Sequence, residues 1–171
     1  DGKSALGIDK EWPARFLLPL MERNPDSRYI VASDCVDHAR ACKDEAEREL
    51  MRAASRINDT VMERAAAFLQ EGITEREVAD YIISQYAAEG CDAVAFQPIV
   101  SFGAHAADPH HEVDQTRPKA GDCIVIDMGC RKDRYCSDMT RTFFCGQPDP
   151  QYAAIHDLVR EANELAGSML R

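Results

Sequence analysis

No stretch of this chain approaches the roughly 18 consecutive apolar residues that a membrane span needs, and no secretory leader is visible. Positive charge is scarce. Twenty Lys and Arg against 30 Asp and Glu leave a formal net charge of −10. That balance argues against nucleic acid and against anionic membrane surfaces as partners. It is compatible with a substrate that carries a cationic amine. Several catalytic signatures are also missing. There is no CxxC pair, zinc-knuckle spacing, HExxH, GxSxG, P-loop or GxGxxG motif, and no internal repeat or low-complexity tract. The seven cysteines are odd in number, which suits reduced, packing thiols in a cytoplasmic protein. No initiator Met opens the chain, so its N-terminus is expected to lie elsewhere.

What is present is a globular composition, 45% hydrophobic and 29% charged over 171 residues. That length suits one medium domain, or a small domain with part of another. The first 42 residues are mixed. "ALGID" and "RYIVAS" read as short strands. "WPARFLLPLMER" reads as a helix entered at Pro13 and kinked or shortened by Pro19. These elements cannot bury a core alone and read as the tail of an α/β domain. From Lys43 to Gln70, Leu50, Ala54, Ile57, Val61, Ala65 and Phe68 recur at helical spacing. Thr74 to Glu77 is a capping box that opens the next helix, with Val78, Ile82 and Tyr86 on its apolar face. "AVAFQPIVSFG" reads as strand interrupted at Pro98. After "QPDPQ", Tyr152, Ile155, Val159, Ala162 and Ala166 mark a third helix running to Arg171.

Between these lies "IVIDMGCRKDRYCSDMTRTFF", a β-hairpin by pattern. A turn centred between Lys132 and Asp133 pairs Asp127 directly with Asp138. Opposite Cβ atoms stand about 4.5–5.5 Å apart, so two bare carboxylates there repel. A divalent cation would neutralise them. A solvent-facing pair at a sheet edge, or a pair sharing one proton, would also account for the spacing. Alternation puts Cys136 on the aspartate face and Cys130 on the other, which argues against a disulfide between them. Upstream, "HAADPHHEVDQTR" packs His105, His110 and His111 within seven residues. Histidines near paired carboxylates suit ligation or proton transfer, and a His-rich surface loop fits equally. Ser101 and Ser137 lack triad partners. Cys91 and Cys136 are better read as structural than as nucleophiles.

Taken together, "AFQPIVSFGAHAADPHH" and "KAGDCIVIDMGCRKDRYCSDMTRTFFCG" resemble the pita-bread metallopeptidases, within them the Xaa-Pro group of prolidases and aminopeptidase P. The resemblance covers roughly residues 40–171. It implies an α+β pita-bread fold, its first half only, over residues 43–171. Residues 1–42 would be the tail of a creatinase-type N-terminal α/β domain. It further implies two divalent ions (manganese first, cobalt or zinc otherwise), with Asp127 chelating one and Asp138 bridging both. His110 matches the histidine of the family's "PH" motif, which contacts substrate near the scissile bond. His111, Thr140 and Arg141 would support metal or substrate, and His105 stands where asparagine is expected. The reaction implied is hydrolysis by a bridging hydroxide, on short peptides with proline at the second position. A histidine and two glutamates of the usual ligand set match nothing in these 171 residues. The fragment alone is therefore expected to be inactive, and the full-length protein to be a homodimer. Two related readings are a non-catalytic pita-bread protein-binding module and a metal-free creatinase-type amidinohydrolase. The retained aspartates argue against both. A metal-binding or structural domain with a His-rich loop is a third.

Overall fold

The computed structural model describes residues 5–170. The chain divides into two compact units between Ala46 and Glu47. In the first, β1 (Ala5–Ile8) leads through α1 (Ala14–Arg23) to β2 (Arg28–Val31). The two strands are parallel, Ala5 opposite Arg28 and Ile8 opposite Val31. A helical crossover is what parallel pairing requires. Pro19 does not shorten α1, which continues to Arg23 and ends where the Asn24 side-chain amide donates to the Leu20 carbonyl at 2.9 Å. α2 (Ser33–Ala41) follows without a side-chain cap. Ser33 Oγ instead donates to Asp9 Oδ2 at 3.0 Å and accepts the Lys10 N–H at 2.7 Å. Ser33 is the one buried residue of this unit among the described residues. Such a unit has little core of its own.

The second unit opens on α3 (Glu45–Phe68), whose Ala54, Val61 and Ala65 are fully buried. α4 (Glu75–Ala88) buries Val78, Ile82 and Tyr86. Thr74 caps it: its hydroxyl accepts the Glu77 N–H while the Glu77 carboxylate accepts the Thr74 N–H. Those reciprocal bonds satisfy donors that a helix start otherwise leaves open. Then come β3 (Ala93–Val94), β4 (Ile99–Phe102), a 3-10 turn (Gly103–Ala107), β5 (Cys123–Met128), β6 (Cys130–Lys132), β7 (Tyr135–Cys136), β8 (Met139–Phe144) and α5 (Pro150–Met169). Arg171, expected inside α5, lies outside the described residues. The apolar residues Tyr152, Ile155 and Val159 of α5 are exposed.

The described strands of the second unit form two three-stranded antiparallel sheets, ordered β4-β5-β8 and β3-β6-β7. One long hairpin serves both, changing sheets at Gly129 on one arm and at Ser137–Asp138 on the other. Its buried face carries Ile124, Ile126, Met128 and Cys130, which pack with the apolar faces of α3 and α4. Asn58 sits in the α3 stripe and is buried. Its amide donates to the Met128 carbonyl at 3.3 Å and its carbonyl accepts from the Tyr86 hydroxyl. This buried polar bridge ties both helices to β5 one residue after Asp127. Losing either partner would leave a polar group unpaired, at about 1–3 kcal/mol each.

The register corrects one expectation. Asp127 pairs with Thr140, and Lys132 with Tyr135. The turn is therefore centred on Asp133 and Arg134, both at positive φ (49° and 70°). That is the conformation of a two-residue turn whose twist matches its strands. Moving the turn centre by one residue shifts the pairing by two and leaves the faces unchanged. Asp138 thus falls opposite Gly129, diagonal to Asp127 and on the same face. Cys130 is buried and Cys136 exposed, as the alternation requires.

Candidate active site

Asp127 is half-buried near the end of β5, and Asp138 is exposed just before β8. Diagonal positions stand about 7–8 Å apart at Cα, which eases the repulsion of a directly opposed pair. Thr140, across the ladder, donates its hydroxyl to Asp127 Oδ1 at 2.9 Å. This fixes one carboxylate oxygen, and no hydrogen bond to the other is found among the described residues. Among the described residues no ion pair reaches either aspartate. Two carboxylates with no cationic partner, on one face of a bent hairpin, offer hard oxygen donors of the kind divalent cations take. Arg141 lies opposite Ile126 rather than on the aspartate face, and its guanidinium donates to the Thr140 carbonyl at 2.8 Å.

The bend depends on Gly129. A Cβ there would sit 2.2 Å from the Ser137 carbonyl oxygen and 2.9 Å from the Phe96 ring. The same glycine accepts the Ala95 N–H at 2.8 Å. Ser137 is committed to this corner too, its Oγ accepting the Cys130 N–H at 3.1 Å. Burial pushes the Cys91 thiol up to about 12, with a bond to Cys130 adding to it. A thiol so rarely ionised is no nucleophile.

The three loop histidines separate. His110 is exposed, its N–H donating to Asp108 Oδ1 at 2.9 Å. It lines a cleft of about 410 Å³ with His111, Pro98, Ile99 and Arg76. Ile99 is the β4 partner of Asp127, so this cleft adjoins the aspartate strand. His105 and His111 turn instead toward each other, ring centroids 4.0 Å apart, and both bind Glu75. Sequence reading placed Glu75 only in the helix cap. Its proximity to the histidines spans 30 and 36 residues, with no local pattern to announce it.

Glu75 is wholly buried. Its Oε1 accepts the Phe102 N–H at 2.8 Å and meets His105 Nδ1 at 2.9 Å. Its Oε2 accepts the Asp114 N–H at 3.2 Å and meets His111 Nε2 at 2.7 Å. With Asp114 these side chains form the one candidate metal-holding group of three or more ligands among the described residues, donor atoms within 4.8 Å of one another. The hydrogen bonding favours a different use. Each Glu75 oxygen already holds a backbone N–H and an imidazole, and Asp114 Oδ1 accepts the Thr116 N–H at 2.7 Å. The bond to Glu75 raises the His105 pKa, with Asp114 and Asp108 contributing. A raised folded-state value means that this pair stabilises fully below the ordinary imidazole range and weakens as pH climbs through the raised value.

The model of metallopeptidase family M24 matches residues 49–171. The chain belongs to metallopeptidase family M24. Its α+β fold is the pita-bread fold of the M24 prolidases. A prolidase structure from Thermococcus sibiricus superposes with a TM-score of 0.90 at 32% identity, over 96% of this chain and 45% of that one. The Pyrococcus furiosus prolidase gives 0.89 at 29% identity, over 95% and 48%. In sequence, a probable dipeptidase PepE of Mycobacterium tuberculosis is 34% identical over 168 residues, 98% of this chain and 44% of its own length. The chain spans less than half the length of these M24 relatives.

Proposed function

We propose that the whole protein is a metal-dependent peptidase that hydrolyses Xaa-Pro bonds at the N-terminus of short peptides. The observation that carries this reading is the Asp127/Asp138 pair, which has no ion-pair partner among the described residues and whose Asp127 is oriented by Thr140 near the hairpin bend. The similarity to prolidases and to an Xaa-Pro dipeptidase from Bacillus anthracis (27% identical, TM-score 0.85, over 93% of this chain and 45% of that one) supports it.

Asp127 and Asp138 would hold the divalent ions, manganese first, with cobalt or zinc as alternatives. Such ions, when bound, supply Lewis acidity and water of lowered pKa. This chain's own groups contribute orientation and substrate contacts. Thr140 keeps Asp127 oriented, as partners behind a ligand generally do. His110, on the cleft wall, donates to the substrate carbonyl as charge develops on it. The acidic chain favours a substrate with a free, cationic amino terminus. Residues 1–42 are proposed as the tail of a creatinase-type N-terminal domain.

Stripping the full-length protein with a chelator should abolish hydrolysis of Ala-Pro, and manganese should restore it. Unchanged turnover in protein verified to be metal-free would remove this reading.

A further inference from the structure

We propose that Glu75 is a positioning residue which, through His105 and His111, clamps residues 102–116 and so sets the place of His110 at the peptide cleft. This rests on the peptidase reading for its catalytic consequence, but the clamp itself does not.

The geometry is that of a fastening. Glu75 is the first residue of α4, and its carboxylate points into the protein with no exposed surface. A carboxylate at a helix N-terminus is favoured by the helix dipole, and a buried one needs its lone pairs filled. Here all four donors come from the loop or its entry: the N–H groups of Phe102 and Asp114, and the rings of His105 and His111. The backbone continues the attachment. The Glu75 N–H donates to the Thr116 carbonyl at 3.1 Å and the Arg76 N–H to the Asp114 carbonyl at 3.0 Å. The Arg76 guanidinium also binds the Val113 carbonyl. One helix end therefore holds both ends of the loop.

His110 has no comparable attachment. Its side chain is exposed and its ordering comes from its neighbours, above all His111, whose ring is mostly buried against Glu75. A reacting group displaced by about 1 Å can cost about 10²-fold in rate. A clamp next to His110 in sequence is thus a kinetic device as well as a structural one.

Glu75→Gln is the informative change. It preserves shape but replaces one acceptor oxygen with an NH₂ group. An imidazole can change tautomer to meet that group, whereas a backbone N–H cannot. Either the Phe102 or the Asp114 amide then loses its acceptor. His105→Asn and His111→Gln keep a donor nitrogen near Nδ1 and Nε2 respectively, and serve as conservative controls.

The experiment uses the full-length protein with Ala-Pro as substrate. Glu75→Gln should lower kcat by about 10- to 100-fold, with little change in KM and none in manganese stoichiometry. Amide exchange across 103–116 should accelerate at least about tenfold, while α3 and the hairpin keep wild-type protection. His105→Asn and His111→Gln should retain most of the activity that His105→Ala and His111→Ala lose. Combining Glu75→Gln with His110→Ala should cost no more than His110→Ala alone, because Glu75 acts through His110. Additive losses in that double variant, or wild-type loop exchange in Glu75→Gln, would overturn the proposal. If the unmodified full-length protein leaves Ala-Pro intact, the peptidase reading falls, and the exchange measurements still decide the clamp.

Discussion

Asp138→Asn in the full-length protein is expected to lower kcat/KM for an Xaa-Pro dipeptide by about 10³-fold or more, without weakening the fold. The loss follows from charge. Asparagine keeps the shape of the side chain but not the anionic oxygens that a hard cation prefers. Several kcal/mol of transition-state stabilisation depend on such an ion, and each 1.4 kcal/mol is about tenfold in rate. Stability should move the other way. Asp138 is exposed, and among the described residues no ion pair offsets its charge or that of Asp127. Removing one of two neighbouring carboxylates should leave the metal-free protein as stable as the parent, or more stable by a few tenths of a kcal/mol. Assaying both quantities separates a ligand from a structural residue. A variant that melts early and keeps its metal would show that Asp138 is a structural residue.

Gly129→Ala should have the largest effect on stability, about 2–3 kcal/mol. The added methyl meets the Ser137 carbonyl oxygen at 2.2 Å. That atom belongs to the backbone of the opposing arm, so no side-chain rotation can relieve the contact. Ser137 itself is held by the Cys130 N–H and by its own N–H on the Cys130 carbonyl. The hairpin must open at its bend, which also moves Asp138, the next residue. Denaturant titration should show a lowered midpoint with an unchanged slope, and activity should fall with it. A change below about 0.5 kcal/mol would mean that the bend is softer than its contacts indicate.

Much of the fold was legible because it is written locally. The α3 stripe at Ala54, Val61 and Ala65, the Thr74 cap and the alternating faces of the hairpin each follow from spacing within a few residues. The hairpin register was not. Asp133 and Arg134 adopt positive φ, where Asn-Gly or Asp-Gly would be the usual signal. Reading the turn one residue early set Asp127 against Asp138 instead of Thr140. The face survived that error because register shifts in steps of two, and so the paired aspartates remained visible. α2 was missed because Ser33 reads as the end of the strand "RYIVAS", whereas β2 stops at Val31 and Ser33 opens α2, bonding back to Asp9 and Lys10 rather than capping the helix. Glu75 was missed for a more general reason. Its partners lie across the tertiary fold, and a buried carboxylate reads in sequence like any acidic residue in the first turn of a helix.

Asp127 and Asp138 are proposed to hold divalent metal, and an anomalous difference map from crystals of the full-length protein grown with manganese tests this most directly. We expect density within coordinating distance of both carboxylates. Density instead on Glu75, His105 and His111, with none at the hairpin, would contradict the account.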